Sequence, residues 1–172
     1  SYLWTVNIGM ALENIRKWQW INRMNEKINR MWKYDMLTQA RNRSGFFYCA
    51  ETILQKIKEE KSNAFIIFLD IDGLKSVNDN LGHEIGDAFI AKIAGILKEV
   101  VPKDCLIMRY GGDEFVVFGS CKQAGRMQRI AEDIKAAIKT ADQKENRSYH
   151  LAASLGCSLH KSYEMDNLNS LI

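Results

Sequence analysis

The sequence predicts an α+β fold, a sheet covered by helices on one or both faces, and three observations carry that prediction. A continuous apolar run, Ala64-Phe65-Ile66-Ile67-Phe68-Leu69, ends abruptly in Asp70, as a buried central strand does. Two short apolar segments flank Gly111-Gly112, which is a hairpin signal. The segments before, between and after these strands carry a helical period instead.

The elements follow in order. Residues 1–34 hold no proline and one glycine, Gly9. Apolar side chains recur at Trp4, Ile8, Ala11, Ile15, Trp18, Ile21, Met24, Ile28 and Met31. The steps alternate mostly between four and three, with consecutive threes from Trp18 to Met24, so the stripe is a coiled-coil seam with a stammer-like irregularity. An amphipathic helix packed on its own domain is the alternative. The length of the stripe and its polar other faces favour a two-stranded signalling helix.

Residues 34–43 break the period and read as a loop. A second helix is expected over 44–61, with Phe46, Phe47, Ile53, Leu54 and Ile57 inward. After the strand at 64–71 come a short helix over 74–81 and a longer one over 84–100. Strands are expected at 105–110 and 114–119. A helix over 122–140 carries Met127, Ile130, Ile134 and Ile138 as its stripe, and a polar loop at 142–148 leads to a last strand at 149–158.

Composition narrows the class. With 172 residues there is room for one domain and an appendage, and 47% apolar with 26% charged residues is the balance of a globular protein. One proline and 11 glycines argue against a low-complexity chain. Cys49, Cys105, Cys121 and Cys157 are far apart with no C-x-x-C pair, which excludes the usual zinc and disulfide frameworks and reads as reduced core thiols. No apolar run reaches the roughly 18–20 residues of a membrane span, and no signal-peptide pattern occurs. The expected location is therefore cytoplasmic. Because the chain starts at Ser1, it also suits the cytoplasmic part of a membrane-bound sensor.

The net charge of +3 is uneven. Residues 1–34 carry Arg16, Lys17, Arg23, Lys27, Arg30 and Lys33 against Glu13 and Glu26, while the rest is near balance. A folded body without a concentrated basic face argues against a nucleic-acid polymer as partner.

The chemistry concentrates in acids. Asp70 and Asp72 lie two apart at a strand end, so in extended conformation both carboxylates leave one side and Ile71 the other. The Gly-Gly hairpin delivers Asp113 and Glu114. If it lies beside the Asp70 strand, four carboxylates converge at one sheet edge, a self-repelling cluster unless it holds a cation or a proton. Hard oxygen ligands with open positions suit Mg²⁺, or Mn²⁺, completed by water and phosphates. Taken singly, each acid reads as a solvated turn residue.

Gly73 precedes a helix, and the N–H groups of Gly73, Leu74 and Lys75 could turn toward a triphosphate there. Neither a P-loop nor an EF-hand is present, since no G-x-x-x-x-G-K-[ST] occurs and Leu74 falls where an EF-hand needs a ligand. Asn78, His83 and Asp87 fall along two helices joined at Gly82. Asp accepts from the N1–H and N2–H₂ edge of guanine and Asn both gives and takes, although Asn78 and Asp87 equally suit helix caps.

Together these segments resemble the GGDEF family of diguanylate cyclases. The resemblance rests on Arg109-Tyr110-Gly111-Gly112-Asp113-Glu114-Phe115, with Asp70-Ile71-Asp72-Gly73-Leu74-Lys75, Asn78-Asp79, Gly82-His83 and Gly86-Asp87 in the family's order and spacing. Asp35-Met36-Leu37-Thr38 with Asn42-Arg43 matches its opening motif. It covers residues 35–172, and residues 1–34 stand apart as the signalling helix.

The resemblance implies a palm-like antiparallel sheet of the ferredoxin-like or nucleotide-cyclase kind, flanked by helices. It implies metal ligation by Asp70, the carbonyl of Ile71, Asp113 and Glu114, with Asp113 as general base and Glu114 beside it. Nucleotide binding falls to Asn78, His83 and Asp87. The implied reaction condenses two GTP molecules into cyclic di-GMP and pyrophosphate between two facing subunits. A homodimer through the N-terminal helix and an upstream sensor are the implied partners. A catalytically silent module that binds GTP or cyclic di-GMP is the alternative function.

Three departures stand out. Gln39-Ala40-Arg41 replaces the usual middle of the opening motif. The R-x-x-D product-inhibition motif would fall at Pro102 to Cys105, and neither end matches. The closing A-D-x-A-L-Y-x-A-K helix is not within the 172 residues, so the C-terminal end is expected to be truncated.

Overall fold

The computed structural model describes residues 2–144 and 148–161, with side chains described from Gly9 onward. Expectations resting on the side chains of Trp4 and Ile8, or on residues 145–147 and 162–172, lie outside the described residues. The described order is α1 (Tyr2–Lys33), α2 (Arg43–Glu59), β1 (Asn63–Ile71), α3 (Leu74–Leu81), α4 (His83–Val100), β2 (Leu106–Arg109), β3 (Glu114–Cys121), α5 (Arg126–Lys144) and β4 (Ala153–His160).

The four strands form one antiparallel sheet in the order β2-β3-β1-β4. This is the α+β architecture expected. β1 is central and explains its own composition. Its odd residues Phe65, Ile67, Leu69 and Ile71 pack with Phe89, Ile93 and Leu97 of α4 and Ile134 of α5. Its even residues Ala64 and Ile66 pack with Phe46, Ala50, Leu54 and Ile57 of α2, together with Met108, Val116 and Phe118. With helices on both faces, an unbroken apolar run is the only pattern that leaves no polar group buried. Full burial of such side chains stabilises by roughly 1.5–3 kcal/mol each.

The cover is incomplete at one end. Phe68 is 38% exposed and Asp70 is exposed, both on the face that α2 covers farther back. Alternation thus returns to β1 in its last four residues, and the bare corner is where the acids stand.

Helix α1 is joined to the body through Asn42. The Asn42 carboxamide donates to the carbonyls of Met31 (3.0 Å) and Tyr34 (3.3 Å), while its Oδ1 accepts from the Gly45 amide (2.9 Å) and caps α2. One side chain therefore ties the end of α1 to the start of α2. Beyond this joint the described side chains of α1 are mostly exposed, with Ile15, Trp18, Ile21, Ile28 and Met31 each about half or more accessible.

Three boundaries differ from expectation for local reasons. Strand β2 spans Leu106–Arg109 rather than 105–110, because the Cys105 amide donates back to the Pro102 carbonyl (2.9 Å), while the turn at 111–113 falls where expected. Helix α5 starts at Arg126 rather than 122, because β3 pairs with β1 as far as Cys121 and the Arg126 guanidinium holds the Ser120 carbonyl (2.8 Å) and Asp104 (2.7 Å). Strand β4 starts at Ala153 rather than 149, because Asp142 draws the Leu151 amide (2.7 Å) away from a ladder position.

Candidate active site

The end of β1 places the first acids. Asp70 lies directly opposite Glu114 on β3 and opposite Ser154 on β4. Direct cross-strand partners share a sheet face, so the two carboxylates emerge side by side. The Ile71 amide donates to the Asp113 carbonyl (3.1 Å) and the Asp72 amide to the Ala152 carbonyl (3.0 Å), which carries the extended backbone through Asp72. The Asp72 carboxylate accepts from the Ser154 hydroxyl (2.8 Å) and turns toward β4.

The expected meeting of four carboxylates at a sheet edge is corrected in two respects. The acids stand at the ends of the two central strands, and the Asp72 carboxylate is engaged by Ser154, the residue opposite Asp70 on β4. Among the described residues, no three Asp, Glu, His or Cys side chains are grouped closely enough to chelate an ion alone.

The hairpin turn is held from outside by Arg109. Its guanidinium donates to the Gly112 carbonyl through Nε (3.2 Å) and Nη2 (2.7 Å), and to Asp35 through Nη1 (3.1 Å). Asp35 also accepts from the Thr38 amide (2.8 Å) and hydroxyl (2.7 Å). Burial pushes the Asp35 carboxyl up, but the Thr38 and Arg109 hydrogen bonds and the guanidinium charge outweigh it, so it titrates below its ordinary value. Lys98 of α4 donates to the Thr38 carbonyl (2.6 Å). The turn after α1 thereby braces both the hairpin that carries Asp113 and Glu114 and the helix that carries Asp87.

Helices α3 and α4 meet at Gly82, whose φ of 88° is a region side chains rarely enter. Its amide donates to the Asn78 carbonyl (3.0 Å), ending α3, and its carbonyl accepts from the Gly86 amide (3.2 Å), starting α4. Asn78 is half-buried, while His83 and Asp87 are exposed one turn apart on α4. The Asn78 carboxamide reaches α4 at Gly86, the neighbour of Asp87, so Asn78 and Asp87 share the mouth of one helical hairpin.

At the other end of α3, Gly73 occupies the cap position with φ 76° and offers no side chain to the first-turn amides. Leu74 is buried and Lys75 exposed. The helix start thus presents backbone donors near the acids, although the Leu74 side chain itself belongs to the core.

The donor set fits Mg²⁺. That ion commonly takes one or two carboxylates and completes its shell with water and substrate phosphates. Like charges directly opposite one another, as at Asp70 and Glu114, are unfavourable in a sheet, and a cation between them removes that cost.

Sequence reasoning assigned no role to Arg109, Asp35 or Gly86. Arg109 and Asp35 are 74 residues apart, so their pairing is a product of the fold. Gly86 is read only once the neighbouring helix is in place. At the positions of the missing R-x-x-D motif, Cys105 is buried and burial raises its thiol to about 11, while the adjacent Asp104 is engaged by Arg126.

Comparison with known proteins bears on this arrangement. The family model described as "Diguanylate cyclase, GGDEF domain" matches residues 32–172. An uncharacterized membrane protein of Staphylococcus epidermidis is 31% identical over 146 residues, covering 85% of this chain and 39% of its own length. A counterpart in Staphylococcus aureus is 30% identical with the same coverage. The chain thus spans about two-fifths of the curated relatives it matches.

Among solved structures, the coiled coil and GGDEF domain of DgcB from Caulobacter crescentus, in complex with c-di-GMP, superposes with a TM-score of 0.77 at 22% identity, covering 91% of this chain and 84% of that one. The GGDEF domain of DgcB alone gives a TM-score of 0.67 at 26% identity, with 77% of each chain covered. The diguanylate cyclase SiaD of Pseudomonas aeruginosa, solved with its activator SiaC, gives 0.72 at 21% identity, covering 94% of this chain and 62% of that one. The sheet, the hairpin signature and the family match over residues 32–172 agree, and the chain belongs to the GGDEF family.

Proposed function

We propose that this chain is the catalytic part of a diguanylate cyclase, condensing two GTP molecules into cyclic di-GMP and two pyrophosphates. The observation that carries the proposal is the direct opposition of Asp70 and Glu114, with Asp113 in the adjoining turn. Silent members of the family usually lose the signature, and here every acid of it is present.

In this reading each domain holds one GTP. Asn78 and Asp87 bind the guanine edge, Asp87 accepting from its N–H groups. His83 lies at the same mouth, and the amides that open α3 at Gly73, Leu74 and Lys75 orient phosphate oxygens. Asp70, Glu114, Asp113 and the Ile71 carbonyl would hold Mg²⁺. Bound there, the ion would lower the pKa of the attacking hydroxyl and would offset charge developing on the α-phosphate. Asp113 accepts the 3′-hydroxyl proton, and the 3′-oxygen attacks the α-phosphate of the GTP in the facing domain.

Two domains must therefore meet. The exposed stripe of α1, including Ile15, Trp18, Ile21, Ile28 and Met31, supports pairing with a second copy, with residues 1–34 as signalling helix and 35–172 as catalytic domain. Among the described residues no helix is long and apolar enough to cross a membrane. The relatives are named membrane proteins and are more than twice as long, which supports a cytoplasmic position behind a membrane-bound sensor. The direct test is Asp113→Asn. Turnover of GTP should fall to background with folding retained, and parent-level turnover would overturn the assignment.

A further inference from the structure

We infer that Gly86 is a specificity-determining residue, because its missing side chain is the space in which the Asn78 carboxamide sits. The inference rests on the reading of Asn78 as a guanine contact. Gly86 is buried in the first turns of α4, and a Cβ built there would overlap Asn78 Oδ1 and lie 2.9 Å from its Cγ. The Asn78 side chain makes no hydrogen bond to the described residues, and it lies in the space that a side chain at 86 would fill. A carboxamide that is half-buried and left unsatisfied by the protein has its donors and acceptor available to a ligand. Its position sets where they point.

The kind of neighbour matters. The overlap is with the carboxamide of a short side chain, and the three nearest atoms all belong to Asn78. Alanine at 86 is therefore accommodated by rotating Asn78 out of its place, with the two helices unmoved. Alanine is also a better helix former than glycine, so helix stability does not suffer. The structure assigns Gly86→Ala a cost in base recognition and none in folding.

The test is competition binding on the full chain with Mg²⁺, using a fluorescent GTP analogue displaced by GTP and by ATP, together with thermal melting. Four proteins are compared: the parent, Gly86→Ala, Asn78→Ala and the double variant. Gly86→Ala should melt at or above the parent and lose about tenfold in its preference for GTP over ATP, the size of one hydrogen bond forgone. In the Asn78→Ala background, Gly86→Ala should cost nothing more, since the carboxamide it displaces is gone. An unchanged preference in Gly86→Ala, or losses that simply add in the double variant, would overturn the inference while leaving the Asn78 assignment standing. A parent-like preference in Asn78→Ala would instead remove the base-reading assignment, and this inference with it.

Discussion

Asp70 and Glu114 face each other as direct cross-strand partners where the two central strands end. A sheet gains nothing from two carboxylates in register, and like charges so placed cost about 0.2–1 kcal/mol. Glu114→Gln should therefore raise thermal stability in chelator. Added Mg²⁺ should raise the melting temperature of the parent, and the gain should shrink in the variant. Melting curves with and without the ion check both, and an equal Mg²⁺ response would place the ion elsewhere.

The brace between Asp35 and Arg109 predicts a coupled defect. Arg109→Ala frees the Gly112 carbonyl and leaves Asp35 without its guanidinium, at a cost of about 1–3 kcal/mol. Faster hydrogen exchange should be confined to the hairpin turn and the residue 35–41 turn. Exchange spread evenly over the sheet would contradict a local role.

The same pair sets a pH dependence. The Asp35 carboxyl titrates below its usual value, so its contribution to stability is complete above the unfolded value of about 3.9 and is lost as pH falls through the lower folded value. Asp35→Asn should melt below the parent at neutral pH, and the gap should close as the pH drops below about 4. A gap that widens in acid would reverse the sign and exclude the pairing as its cause.

How far the sequence anticipated this structure follows from what each residue depends on. The strand at Ala64–Leu69, the helix over 74–81 and the Gly111 hairpin were legible, because an apolar run, a capping glycine and a turn act locally. The starts of α5 and β4 were not. They are set by Arg126 reaching Ser120 and by Asp142 taking the Leu151 amide, contacts without a local signal. Within the site, Asp70 and Glu114 were placed together correctly. The Ser154 hydroxyl that engages Asp72 comes from 82 residues away and has no local signal.

Feedback through the usual product motif should be absent. Pro102 and Cys105 stand where Arg and Asp are needed, Cys105 is buried, and Asp104 is bound to Arg126. Calorimetry should show no cyclic di-GMP binding that survives disruption of the active site. Tight binding to an Asp113→Asn variant, abolished by changes at residues 102–105, would show that a product site exists there after all.

The exposed stripe of α1 ties assembly to turnover. Charged residues at Ile15, Ile21 and Ile28 should lower the dimer fraction and the specific activity together, while GTP binding per domain persists. Sedimentation and turnover at one protein concentration check this. A monomeric variant with parent activity would break the link.

The measurement closest to the central claim is the identity of the product. The protein is incubated with GTP and Mg²⁺ at a concentration where α1 pairs, and the nucleotides are separated and weighed by mass spectrometry. The account predicts cyclic di-GMP with two pyrophosphates for each, dependence on Mg²⁺, and, on dilution below full pairing, a rate that falls faster than linearly with protein concentration. GTP bound stoichiometrically and recovered unchanged would contradict it and mark the chain as a binding module.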